Sequence, residues 1–177
     1  MRNKSTRRLT VSALLVTVML MLGYLESFVP TGIPGVKLGL SNSVLLLAIY
    51  WLGIPTAFLL MAVKVLLSGF LFSGVSAMMY AFAGGLLSMI VMSALYKAKG
   101  FSTVTIAMAG AVFHNVGQVG MAMIMLETDR LVYYMAILML AGLVTGFVTG
   151  TVTTLLMKRL PESMKPEHWD QQGSERK

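Results

Sequence analysis

Few side chains in this sequence can do chemistry, and those few stand where apolar residues are expected. Lys64 lies deep in an apolar run; from residue 38 to residue 96 it is the only formal charge. A charge at that depth of a membrane helix is costly, and usually faces a polar cavity, an acid or an anionic ligand. Snorkelling to water is open mainly to lysines near helix ends. A second group is Phe113-His114-Asn115-Val116-Gly117-Gln118. His114 and Gln118 are four apart and Asn115 and Gln118 three apart, so all three project from one side of a helix. Polar side chains also join helices to one another, at about 1 kcal/mol each. Three on one side, with a histidine among them, read better as the lining of a site.

A third group runs from Glu26 through Pro30-Thr31-Gly32-Ile33-Pro34-Gly35 to Lys37 and Asn42. Two prolines and two glycines within six residues shape a loop. Glu26 and Lys37 can pair across it, and an exposed pair is worth little. The loop is expected to act as a lid over a cavity lined by Asn42, Lys64, His114, Asn115 and Gln118, with Glu26 and Lys37 at its rim. No metal site is expected. The sequence has no cysteine, its other histidine is the distant His168, and no carboxylate lies near His114 in sequence. Catalysis is not expected either. Asp129 and Asp170 are the only aspartates, and a magnesium-bound diphosphate needs clustered carboxylates. No phosphate-binding lysine loop is present, so the chain is not expected to hydrolyse ATP. No cofactor is expected.

The elements that hold these residues follow from composition. The 177 residues are 56% hydrophobic and 12% charged, against roughly 25% charged in soluble domains. The net charge of +7 does not suggest nucleic acid, because the cations flank apolar segments and form no stripe with aromatics. The chain reads as an all-α, polytopic membrane protein with six transmembrane helices, near residues 9–28, 37–52, 55–72, 77–96, 102–126 and 131–157. Each crossing needs about 20 apolar residues. Pro55 suits the first turn of a helix. The first run is long for a signal peptide and has no small-residue cleavage pattern, so it is read as a retained helix. Residues 1–160 form one membrane domain; 161–177 are polar and expected to be a disordered cytoplasmic tail.

Orientation follows from three basic groups. Arg2, Lys4, Arg7 and Arg8 precede the first span, Lys97 and Lys99 follow the fourth, and Lys158, Arg159 and Lys165 follow the sixth. With six spans all fall on one side, which the positive-inside rule makes cytoplasmic. Glu26, Glu127 and Asp129 fall opposite, with Lys37 and Arg130 as the cations. A multi-pass cell-membrane protein with both termini inside is expected. The two halves show no inverted repeat. Gly142, Gly146 and Gly150 place three glycines on one helix face, the close-packing pattern of membrane helices. Ala81 and Gly85 form a weaker instance, also read as packing. Ala13 and Thr17 are read as a docking surface for a partner helix.

Glu26, the segment Pro34-Gly35-Val36-Lys37-Leu38-Gly39-Leu40-Ser41-Asn42, the Lys64 region and Gly110-Ala111-Val112-Phe113-His114-Asn115-Val116-Gly117-Gln118 together resemble the Gx transporter family, a group labelled heptaprenyl diphosphate synthase component I. The likeness covers about residues 9–157. Ser41 stands where the family usually has alanine, and Lys64 where it often has arginine. The family is similar to the six-helix substrate-binding S components of energy-coupling-factor vitamin transporters. That resemblance implies one outward-opening ligand cavity, covered by loops, and a transmembrane coupling protein with ATPases as partner. The expected function is a substrate-binding subunit or small carrier for a vitamin-like, flavin-like, or isoprenoid or quinone-precursor ligand. The competing expectation is a non-catalytic membrane component that supports isoprenoid quinone synthesis, docking a soluble prenyl synthase, or quinone-linked extracellular electron transfer.

Overall fold

A computed structural model describes residues 4–26, 28 and 40–159, and among these every regular element is helical. The helices are α1 (Lys4–Glu26), α2 (Leu40–Leu52), α3 (Ile54–Ser68), α4 (Gly74–Ala98), α5 (Thr103–Leu126) and α6 (Val132–Arg159). A π-helical turn, Gly69–Ser73, joins α3 to α4, and a short 3-10 turn, Asp129–Leu131, precedes α6. Four segments are long and apolar enough to cross a membrane: Arg8–Glu26, Ile54–Ala98, Thr103–Leu126 and Asp129–Arg159. The six spans expected from sequence therefore reduce to four such segments and one shorter apolar helix, Leu40–Leu52.

The difference has two physical sources. First, the expected break at 73–76 is barely a loop. Helical elements follow one another without a gap from Ile54 to Ala98, and the junction falls at Gly74, whose φ of 81° suits a residue without Cβ. The segment still doubles back. A Cβ on Gly69 would meet Met78, and one on Gly85 would meet Met61, so α3 and α4 pair in opposite directions. Second, α2 has 13 residues, about 20 Å of helix, less than the ~30 Å hydrocarbon core. Beyond its polar first turn it is apolar all round, and it is buried along nearly its whole length, at Ser41, from Ser43 through Tyr50 and at Leu52. A helix of that kind belongs in a core.

Both ends of α2 are held by α1. The Leu40 N–H donates to Glu26 Oε1, and Arg8 Nη2 donates to the Leu52 carbonyl at 2.9 Å. A carboxylate at a helix N-terminus and a cation at its C-terminus both suit the helix dipole. Those bonds also satisfy backbone groups that a helix end leaves without partners.

The other three helices pack through glycine. Gly84 of α4 faces His114 and Gln118 of α5, and Gly117 of α5 faces the backbone of Ala83 and Gly84. Gly142, Gly146 and Gly150 of α6 face Val112, Met108 and Val104 of α5, with would-be Cβ atoms 2.5–3.2 Å from the α5 backbone. Numbers rise along one helix as they fall along the next, so α4, α5 and α6 are successively antiparallel. The α5 start is set by Ser102, whose side chain accepts from the Thr105 N–H at 3.1 Å. Its end is set by Glu127 in the left-handed region, with the Thr128 N–H on the Met123 carbonyl. Outward faces are apolar: Leu14, Met21, Leu59, Phe70, Ile124, Tyr133, Leu140 and Val144 are all exposed.

Candidate functional site

Turning alternately up and down, the helices leave a cavity of about 60 Å³ in their midst. All six contribute. Met19, Gly23 and Glu26 come from α1; Ser41, Asn42 and Leu45 from α2; Met61, Lys64, Val65 and Ser68 from α3. Ala81 and Gly85 come from α4, Ala111, His114, Asn115 and Gln118 from α5, and Thr145 and Thr149 from α6. Phe72 and Ser73 of the π-helical turn also border it, and turns of that kind are frequent at functional sites.

Six of the seven ligand residues expected from sequence thus line one cavity: Glu26, Asn42, Lys64, His114, Asn115 and Gln118. Lys37 lies outside the described residues, as does the loop expected to form a lid. Lys64 Nζ donates to Ser41 Oγ at 2.6 Å. Ser41 is 4% exposed, so the bond brings an ammonium against the first turn of α2. Glu26, 6% exposed, reaches the same turn one residue away through the Leu40 N–H. A carboxylate at the last residue of α1 is at the wrong end of its own helix dipole, and the α2 N-terminus compensates it. Among the described residues, the cavity lining carries one cation, Lys64, and one carboxylate, Glu26, whose partners Ser41 and Leu40 are adjacent in the first turn of α2.

On α5 the three polar residues have different duties. His114 and Gln118 lie over Gly84, where a Cβ would come 2.5 Å from the His114 carbonyl and 2.7 Å from Gln118 Cγ. Only glycine lets α4 come close enough to fix them. Asn115 borders the cavity, but its Nδ2 donates to the Leu138 carbonyl of α6 at 2.7 Å. It is a helix joint as well as a wall. Ala81 and Gly85, expected to serve packing, border the cavity as well. A Cβ on Gly85 would press on Met61 Sδ at 2.9 Å, so this glycine keeps space open beside Lys64's helix.

Sequence reasoning missed the hydroxyls. Ser41 holds Lys64, and Thr145 and Thr149 border the cavity. Ser43 Oγ donates to the Thr149 carbonyl at 3.2 Å and Thr153 Oγ1 to the Ser43 carbonyl at 3.2 Å, which fastens α2 to α6 beside the site. Beside the cavity-lining Phe72, Tyr24 packs edge-on against Phe28 at 4.8 Å and against Phe72 itself at 5.6 Å. The end of α1 is thereby tied to the π-helical turn. Among the described residues, no three of His, Cys, Asp or Glu stand close enough to hold a metal ion. The lining offers hydrogen-bond donors around one ammonium, chemistry that suits holding a polar group.

A family model described as heptaprenyl diphosphate synthase component I matches residues 15–156. That stretch contains every lining residue of the cavity. No curated protein and no solved structure gives a significant match. With about four-fifths of its length inside the match, the chain belongs to the heptaprenyl diphosphate synthase component I family.

Proposed function

We propose that this chain is a ligand-binding membrane subunit, or small carrier, whose interior cavity holds the anionic part of a small, partly apolar molecule. The observation that carries the reading is the convergence of Glu26, Asn42, Lys64, His114, Asn115 and Gln118, from four separate helices, on one cavity. Burying such groups in an apolar bundle is expensive, and helix association alone needs no ammonium. Ligand candidates are a vitamin-like or flavin-like molecule, or an isoprenoid or quinone precursor. At about 60 Å³ the cavity admits a compact polar group. Pockets for drug-sized ligands measure about 300–1,000 Å³, so a larger ligand leaves its apolar part outside the cavity or widens the site.

The chain crosses the membrane six times in this reading, with the Ile54–Ala98 segment making two passes and α2 a short, buried one. The described cations Arg8, Lys97, Lys99, Lys158 and Arg159 gather at one end of the bundle, which becomes the cytoplasmic side of the cell membrane. Energy for movement comes from a partner, such as a transmembrane coupling protein with ATPases. Ala13 and Thr17 are exposed on α1 and suit a docking helix. The family description favours a second reading, a non-catalytic membrane component that works beside a prenyl diphosphate synthase.

The test is mass spectrometry of small molecules retained by purified wild-type and Lys64→Met protein. The expected result is an anionic species held by the first and reduced at least tenfold in the second. Identical retained sets, or none in either, overturn the reading.

A further inference from the structure

Resting on that reading of the cavity, a further assignment concerns what the cavity already contains. Three donors converge at the first turn of α2: the backbone N–H of Leu40, the Ser41 hydroxyl and the Lys64 ammonium that reaches Ser41 Oγ at 2.6 Å. An ammonium, a hydroxyl and the positive end of a helix are the elements of a phosphate-type oxyanion site. The site is not empty. The Glu26 carboxylate, delivered from the end of α1, accepts the Leu40 N–H and borders the same cavity. A carboxylate offers two oxygens in the geometry of an oxyanion, so Glu26 fills part of the place such a ligand would take.

We infer that Glu26 is a tethered internal competitor: an incoming phosphate-type oxyanion binds Lys64, Ser41 and the α2 first turn by displacing the Glu26 carboxylate from the Leu40 N–H. Glu26 thus sets the affinity of the site and blocks it against weak anions. Displacement also frees the end of α1 from α2, and with it the Tyr24 contact to Phe72 of the π-helical turn. Ligand entry and loosening of this contact become one event.

The oxyanion has two possible sources, a free diphosphate from water or the head of a prenyl diphosphate from the bilayer. Calorimetric titration of the purified full chain with inorganic diphosphate, and separately with farnesyl diphosphate, distinguishes them. Glu26→Gln keeps an oxygen for the Leu40 N–H and removes the charge. It is expected to bind the effective probe at least about tenfold tighter than wild type, the scale of one nearby like charge. Lys64→Met is expected to bind it at least tenfold weaker. Equal or weaker binding by folded Glu26→Gln overturns the competitor role and leaves the ligand-cavity reading standing. Failure of both probes on wild type and Glu26→Gln overturns the phosphate-type assignment, while an anion retained in a Lys64-dependent way would still support the cavity reading. A measurement on wild type guards against a variant that does not fold. Infrared difference spectra on adding the effective probe should show the buried carboxylate band shifting, and an unchanged band overturns displacement.

Discussion

Asn115 separates the two uses of a polar side chain within one helix turn. Its amide donates to the Leu138 carbonyl at 2.7 Å, so Asn115→Ala should lower stability by about 1 kcal/mol, the usual worth of an interhelical hydrogen bond in membranes. Denaturant unfolding in detergent would register it, and an unchanged midpoint would show that the bond contributes nothing. The polar positions of the cavity were legible in the sequence because each breaks an apolar run at a cost that needs a reason. The hydroxyls were not. Thr145, Thr149, Thr151 and Thr154 each donate to a carbonyl three or four residues back in their own helix. A hydroxyl satisfied in that way sits in an apolar helix almost anywhere, so its position predicts little. Ser41 carried no mark either, because its partner Lys64 lies 23 residues on, in another helix.

Glycine spacing decides the seam between α5 and α6. A Cβ on Gly146 would come 2.5 Å from Met108 Cα, a backbone atom that cannot turn aside, whereas one on Gly120 would meet nothing within 4 Å. Gly146→Ala should therefore cost about 1–3 kcal/mol through overpacking. Gly120→Ala should be neutral or stabilise by up to about 1 kcal/mol through helix propensity. Parallel unfolding of the two variants checks the contrast, and equal midpoints would show that the seam opens freely. The four-residue repeat made Gly142, Gly146 and Gly150 readable in advance. Gly85 was marked only weakly, by its spacing from Ala81, and Gly84 carried no such mark, since its neighbours His114 and Gln118 lie 30 or more residues on, across the α4–α5 turn. Nor did the sequence show that α2 is the buried helix. A segment that is apolar on every side has the same pattern whether lipid or protein surrounds it.

For the molecule as a whole, antiparallel packing gathers Arg8, Lys97, Lys99, Lys158 and Arg159 at one end and places Glu127, Asp129 and Arg130 at the other. A cysteine introduced at Glu127 should react with an impermeant thiol reagent on intact cells, and one at Lys99 only after the membrane is opened. The opposite labelling pattern would invert the assignment. The gathering of cations at one end was readable without coordinates, because charges are costly inside long apolar segments and concentrate at their ends. How the helices close around a cavity was not readable, because it depends on contacts between residues far apart in the chain. Ser43 with Thr149 and Thr153 is one such set, and Asn115 with Leu138 is another.

The double fastening of α2 by Arg8 and Glu26 bears on how the protein enters its membrane. A helix about 20 Å long is a poor independent substrate for insertion, and its terminal backbone groups would meet hydrocarbon without partners. Both partners lie on the helix synthesised just before it. During translation α1 must therefore still be at hand when α2 emerges, so that the two enter as a hairpin. Loss of either side chain should then reduce the yield of inserted protein before it alters the finished one.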